Sequence, residues 1–206
     1  MNEGYISVLK DISADSPTPG GGAVAALTLG HAYSLTSMVS RLTIGRDKWI
    51  EGHEISEKLI SLCDQGLEQS IQMAKDDCES FEEVMASYKL PRNNEEEIMI
   101  RKESIINSSL RATMAPFTIA QKALDLLILL PNLAKYGNAN ALTDLASASQ
   151  LTQSAIYVAS LNVKINISSI SDKDAANFSR DIKEILSQGN SKNEEIQKII
   201  FSRLSW

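Results

Sequence analysis

WIEGHEISEKLISLCDQGLEQSIQMAKDDCESFEEVMASY, residues 49–88, runs without a proline, and its apolar residues return every third or fourth position. Ile55, Leu59, Leu62, Leu67, Ile71, Ala74, Phe81, Met85 and Tyr88 mark the seam, with the period of one face of a helix. A helix of 35 to 40 residues is roughly 55 Å long at 1.5 Å per residue. Helices of that length suit a bundle whose members run the height of the molecule, or reach across a subunit interface.

Working outward, Ile6, Leu9 and Ile12 predict a short first helix, and a second is expected from about Gly22 to Arg41. Gly22, Ala26, Gly30 and Ser34 stand four apart on that second helix, a stripe of small residues that lets a neighbouring helix approach closely. On the other side, LPRNN at 90–94 ends the long helix. Asn93 or Asn94 caps the next one, and Glu95 to Glu97 fill a first turn where the helix dipole favours acids. This helix is expected to reach about Leu130, kinked at Pro116. Gly137-Asn138-Ala139-Asn140 then opens a helix to about Ile167, capped by Asn138 or Asn140. Asp172 is expected to cap a helix ending near Ser187, before a terminal helix from about Asn193. No stretch alternates apolar and polar residues for long enough to make a sheet. The prediction is an all-α, multihelical up-and-down bundle with long helices, in one domain over 1–206.

Composition narrows the function. The net charge is −6, with acids and bases mixed along the chain, and no basic cluster with interleaved aromatics points to nucleic acid. Cys63 and Cys78 sit inside a helical stretch without a CxxC partner, as free thiols do in a reducing cytosol. With His31 and His53 the only histidines, no zinc constellation can be assembled. The beginning MNEGYIS lacks the basic and apolar regions of a signal peptide. The most membrane-like run, Ala23 to Val39, is short and interrupted by Thr28, His31, Ser34, Thr36 and Ser37. A soluble, cytoplasmic protein with neither nucleic-acid nor membrane partner is expected.

PTPGGGAVAA at 17–26 carries the strongest functional signal. Gly20, Gly21 and Gly22 leave the backbone open at the start of a helix, where unpaired N–H groups and the dipole suit an anionic or carbonyl-bearing ligand; a tight turn before a closely packed helix is the alternative. Gly20-x-Gly22-x-x-Ala25 also touches a dinucleotide fingerprint, but no strand precedes it and prolines crowd its front; no Gly-Lys-Ser/Thr follows, so it is not a P-loop either. Steps of four and three from Asp144 reach Ala148, Leu151, Ala155, Ala159, Asn162 and Asn166. Polar groups on such a face need hydrogen bonds or a ligand. Asp144 and Asn162 are about 27 Å apart along one helix, too far to share a site within it. Asp77 lies beside the seam at Ala74 and Phe81, where partial burial would raise its pKa and make it a proton carrier; a solvated acid at the seam edge is the plain alternative. Arg41, Arg46 and Lys48 could meet an anionic ligand or simply form a basic helix end.

Five ordered blocks make the chain recognisable: SPTPGGGAVAAL (16–27), MVSRLTIGR (38–46), DCESFEEVMASYKLP (77–91), GNANALTDLASA (137–148) and NVKINISSISD (162–172). The sequence resembles the cyclodeaminase domain of the formiminotransferase-cyclodeaminase family and its stand-alone methenyltetrahydrofolate cyclohydrolase relatives. The resemblance covers the chain up to about Asp172. It implies an α-helical homodimeric enzyme acting at the N5–N10 bridge of tetrahydrofolate, with no cofactor beyond that substrate and no metal. Two reactions are open: hydrolysis of 5,10-methenyltetrahydrofolate to 10-formyltetrahydrofolate, or conversion of 5-formiminotetrahydrofolate to the methenyl form with loss of ammonia. No formiminotransferase domain accompanies these blocks, which tilts the expectation toward hydrolysis. A folate-binding helical dimer without catalysis is the rival class.

On this resemblance Asp144 is expected nearest the chemistry, with Asp77 second. Gly20, Gly21 and Gly22 would offer backbone N–H groups to the substrate. Asn138 and Asn140 would bond the pterin edge, and Arg41, Arg46 or Lys48 the glutamate tail. Asn162 is assigned to the site or to helix contacts.

Overall fold

The computed structural model describes residues 3–206, and among them every regular element is helical. Helix α1 spans Glu3–Ile12, α2 Gly21–Ile44, α3 His53–Tyr88, α4 Glu95–Tyr136, α5 Leu142–Asn166 and α6 Asp172–Leu204. Short 3-10 turns at Asp47–Gly52, Ala139–Ala141 and Ile167–Ser169 join them.

Successive long helices run antiparallel, as their contacts show. Gly22, Gly30 and Arg41 of α2 meet Asp77, Ser70 and Asp64 of α3 in reverse order. Arg111 of α4 pairs with Glu83 of α3, while Tyr136 at the other end of α4 abuts Gly52. Asn166, the last residue of α5, reaches back to Ala112 of α4, and Ser149 of α5 bonds Asn193 of α6. The result is an up-and-down bundle with two ends. One holds the start of α2, the other the start of α5.

The helix ends follow local chemistry. The Asn94 side chain accepts from the Glu97 N–H at 2.9 Å, and Glu97 returns a carboxylate to the Asn93 N–H at 2.7 Å. These bonds satisfy amides that have no intrahelical partner. Ser171, rather than Asp172, caps α6, its Oγ accepting from the Asp174 N–H. The break expected between Ser187 and Asn193 is absent, and α6 continues through Gly189. A Cβ there would lie 2.7 Å from Gln153 Oε1 and 2.8 Å from Ile156 Cδ1. This glycine lets α5 come close and does not end the helix.

The core lies along α4 and its neighbours. Ile119, Leu126, Leu127 and Leu130 of α4 are fully buried, with Leu29, Leu59, Leu145 and Ile156 from the surrounding helices. Leu133 and Ala134 are also buried, so packing carries α4 past Pro131 to Tyr136, beyond the expected stop at Leu130. By length and composition α4, rather than 23–39, contains the window most suited to a membrane, with mean hydropathy 1.3 and 56 % of it buried inside the bundle. Pro116 removes the N–H that would bond the Ala112 carbonyl. Asn166 replaces it, donating from Nδ2 at 2.6 Å.

The expected seam of α3 is only partly inward. Leu59 and Ala74 are buried, but Leu67, Ile71, Phe81, Met85 and Tyr88 are exposed. The inward face is built instead from small residues, among them Ser56, Cys63, Gly66 and Ser70. Such residues let α3 lie close on the small-residue stripe of α2. A Cβ on Gly66 would strike the Tyr33 ring at 2.6 Å. Burial in this contact raises the Cys63 thiol pKa to about 12 and also raises that of the Tyr33 hydroxyl. Helix α1 buries none of its residues and rests over an apolar cavity of about 390 Å³ shared with α2 and α3.

Candidate functional site

At one end of the bundle the glycine loop meets α3 and α5. Gly20 precedes α2 in extended conformation and offers no side-chain cap. The first turn is instead capped from α3. Asp77 accepts the Ala23 N–H, so a carboxylate already sits at the positive end of the α2 dipole. A Cβ on Gly22 would fall 2.5 Å from Asp77 Cγ and Oδ2. Gly22 is therefore required to be bare by the approach of Asp77. Its neighbour Gly21 has room, with Asn162 Nδ2 at 3.7 Å and Val158 Cγ1 at 3.8 Å from its would-be Cβ.

Asp77 is half-buried, and loss of hydration raises its pKa above the usual carboxylate value while the Ala23 N–H pulls it down. Burial is the larger effect. The carboxyl thus sits in the setting that suits a proton carrier: partly dry, oriented by one backbone donor, beside a loop without side chains. Thr18 on the loop donates toward Glu82 Oε1 at 3.5 Å, which adds a second α3 carboxylate at the rim. Glu82 was not singled out from the sequence; its place five residues after Asp77 was the available clue.

Asn162 joins this end, its Nδ2 donating to Val158 O at 3.0 Å within α5. The structure therefore assembles Gly20, Gly21, Gly22, Asp77 and Asn162 from three helices.

The remaining expected residues gather at the opposite end. Asn138 is buried and committed. Its Nδ2 donates to Leu42 O at 2.9 Å and its Oδ1 accepts the Asn140 N–H at 3.0 Å. Both ends of that buried amide bond the backbone, so Asn138 ties the loop to α2. Asn140 is exposed beside it and Asp144 half-buried one turn into α5. Arg46 and Lys48 are exposed at this end, Lys48 lying over the Trp49 ring at 4.8 Å. Arg41 bonds Ser37 and pairs with Asp64 at 2.7 Å. That pair holds the Asp64 carboxyl below its usual range. Arg41 is thus partnered on the bundle surface and not aimed at either carboxylate of interest.

Asp77 and Asp144 consequently do not share a site within one subunit. Asp144 lies about 27 Å along α5 from Asn162, and Asn162 belongs to the Asp77 end. Among the described residues no cluster of His, Cys, Asp and Glu could hold a metal ion.

Comparison with known proteins gives a consistent result. Residues 5–184 match the family model described as formiminotransferase-cyclodeaminase. The methenyltetrahydrofolate cyclohydrolase of Methylorubrum extorquens is 30 % identical over 206 residues, covering 99 % of each chain. The formimidoyltransferase-cyclodeaminase of Rattus norvegicus is 30 % identical over 165 residues, which are 80 % of this chain and 30 % of that one. Among solved structures, formiminotetrahydrofolate cyclodeaminase from Thermotoga maritima superposes with a TM-score of 0.78 at 26 % identity, covering 100 % of this chain and 96 % of the other.

Proposed function

Because the chain belongs to the formiminotransferase-cyclodeaminase family, we propose that it hydrolyses 5,10-methenyltetrahydrofolate to 10-formyltetrahydrofolate. The observation that carries the choice of water over ammonia is the end-to-end likeness to a methenyltetrahydrofolate cyclohydrolase. The cyclodeaminase reaction is the second reading, favoured by the structural likeness to the Thermotoga enzyme.

In the hydrolytic direction, water adds to the cationic bridging carbon and gives up one proton. Asp77 accepts that proton and returns it to N5 as the carbon–N5 bond breaks. The second water proton leaves to solvent as the new hydroxyl becomes the formyl oxygen, with the formyl group remaining on N10. A carboxyl with raised pKa serves both transfers, and its negative charge favours the cationic substrate. The bare backbone at Gly20 to Gly22 allows the substrate to approach, and Asn162 would orient it. Asn140, Arg46 and Lys48 would contact the pterin and the glutamate tail from the other end of a molecule.

Asp144 can join Asp77 at one folate only from a second subunit. The proposal therefore includes an antiparallel homodimer, in which each Asp77 end meets its partner's Asp144 end. Exposed apolar residues on neighbouring faces of α2 and α3, Met38, Leu42, Leu67 and Ile71, support such a contact. A soluble cytoplasmic setting goes with it, since both cysteines are free thiols.

The test is the decay of 5,10-methenyltetrahydrofolate absorbance at neutral pH against spontaneous hydrolysis. Acceleration well above background supports the cyclohydrolase. Ammonia release from 5-formiminotetrahydrofolate without that acceleration moves the reading to the cyclodeaminase, and tight folate binding with neither reaction moves it to a binding protein.

A further inference from the structure

The loop at 137–140 is suspended from three elements, and one of them is the last turn of the chain. From α2, Asn138 bonds the Leu42 carbonyl, and the Asn138 N–H donates to Thr43 Oγ1 at 3.0 Å. From the turn before α3, Gly52 fits against the Tyr136 carbonyl, which would lie 2.7 Å from a Cβ on residue 52. From α6, Arg203 donates through Nη1 to Ala134 O at 2.6 Å and through Nη2 to Gly137 O at 2.9 Å. Its guanidinium also lies over the Trp49 ring at 5.7 Å.

The two carbonyls belong to the C-terminal end of α4, where the last carbonyls have no intrahelical partner and the dipole favours a cation. A guanidinium spans both at once with a rigid fork, and it stacks on an aromatic face in the same pose. An ammonium can bond carbonyls too, but it lacks the fixed spacing of the fork and the flat face that stacks on Trp49. The Gly137 carbonyl begins the peptide that enters Asn138, so Arg203 fixes the point from which α5 starts and hence the direction in which its first turn presents Asp144.

We propose that Arg203 is a positioning residue, which holds the 137–140 loop and through it Asp144 in the geometry the reaction needs. The proposal rests on the reading that Asp144 serves the folate reaction. It gives the C-terminal turn, which lies outside the 5–184 family match, a part in catalysis although it touches no substrate.

The experiment compares Arg203→Ala and Arg203→Lys, each in the wild-type and Asp144→Asn backgrounds, by methenyltetrahydrofolate hydrolysis and by amide hydrogen exchange. Arg203→Ala is expected to keep its helical circular dichroism, with exchange at 138–141 faster by about tenfold and buried amides of α5 unchanged. Its kcat falls by about tenfold or more while KM moves by less than about threefold. Arg203→Lys recovers part of both. In the Asp144→Asn background the same substitution changes the residual kcat by less than about twofold, because the loop no longer positions a carboxylate. An equal loss of kcat in both backgrounds, an unchanged kcat despite a loosened loop, or an unchanged loop would each overturn the proposal. A wild-type protein lacking the hydrolytic activity defeats the folate reading itself; the exchange measurement then still reports separately whether Arg203 holds the loop.

Discussion

Gly22 of α2 and Asp77 of α3 form a matched pair, because the Asp77 carboxyl occupies the space that a side chain on residue 22 would fill. Gly22→Ala is therefore expected to push Asp77 off the Ala23 N–H. The cost is about 1–3 kcal/mol of stability, as for other overpacked sites, with loss of most activity. Gly21→Ala is the control, since its Cβ would meet only ordinary contacts at 3.7 and 3.8 Å. Neither glycine has positive φ, so Gly21→Ala should fold with stability unchanged or raised by up to about 1 kcal/mol. Denaturant titration of both variants checks the contrast; equal losses of stability at the two positions would refute it.

Asp77 carries a pH signature. Burial raises its folded-state pKa, so the native state binds this proton more readily than the unfolded chain. Its contribution to stability then falls as pH rises from the ordinary carboxylate pKa through the higher folded value. Asp77→Asn removes that penalty. The variant should be at least as stable as wild type at neutral pH, with the difference vanishing in acid below the carboxylate range. Unfolding curves at the two pH values decide it, and an Asp77→Asn protein less stable at neutral pH counts against a desolvated carboxylate.

Asn166 and Pro116 act together through Ala112. Asn166→Leu leaves the Ala112 carbonyl without its donor and should cost about 1–3 kcal/mol. Pro116→Ala supplies an N–H at the right place in α4. In that background the Asn166 loss should shrink to about 0.5 kcal/mol or less, a coupling that a double-mutant cycle measures.

A site shared between subunits predicts complementation. Asp77→Asn and Asp144→Asn should each fold normally and lose more than about tenfold of activity. In an equal mixture after subunit exchange, half of the dimers are mixed, and each of these has one site with both carboxylates intact. About a quarter of wild-type activity should return. No recovery in a mixture shown to exchange subunits would separate the two carboxylates.

The helical class was legible because long apolar periods, Asn94 and the prolines act locally. The start of α5 just past the GNAN loop was legible for the same reason, although Asn138 caps the short turn at 139–141, and α5 itself begins after Ala141 without a side-chain cap. What failed were residues whose role is set by a distant neighbour. The break expected between Ser187 and Asn193 does not form, because Gly189 there is a contact with Gln153 and Ile156 on another helix. The expected end of α4 near Leu130 does not occur either, because burial of Leu133 and Ala134 keeps the helix going past Pro131. The outward turn of Leu67 and Ile71 could not be read either, since period fixes a face but not which face is covered. In the site, the glycine loop and Asp77 were both visible, while their contact was not, because 55 residues separate Gly22 from Asp77. Arg203 gave no local signal, its partners lying 66 and 69 positions earlier.

The most direct measurement is the rate of 5,10-methenyltetrahydrofolate decay with the wild-type protein and with Asp77→Asn at equal concentration. The account predicts strong acceleration by the wild type, and a loss of about a hundredfold or more in Asp77→Asn with its helical content and unfolding midpoint retained. Equal acceleration by both proteins, or by neither, would contradict it.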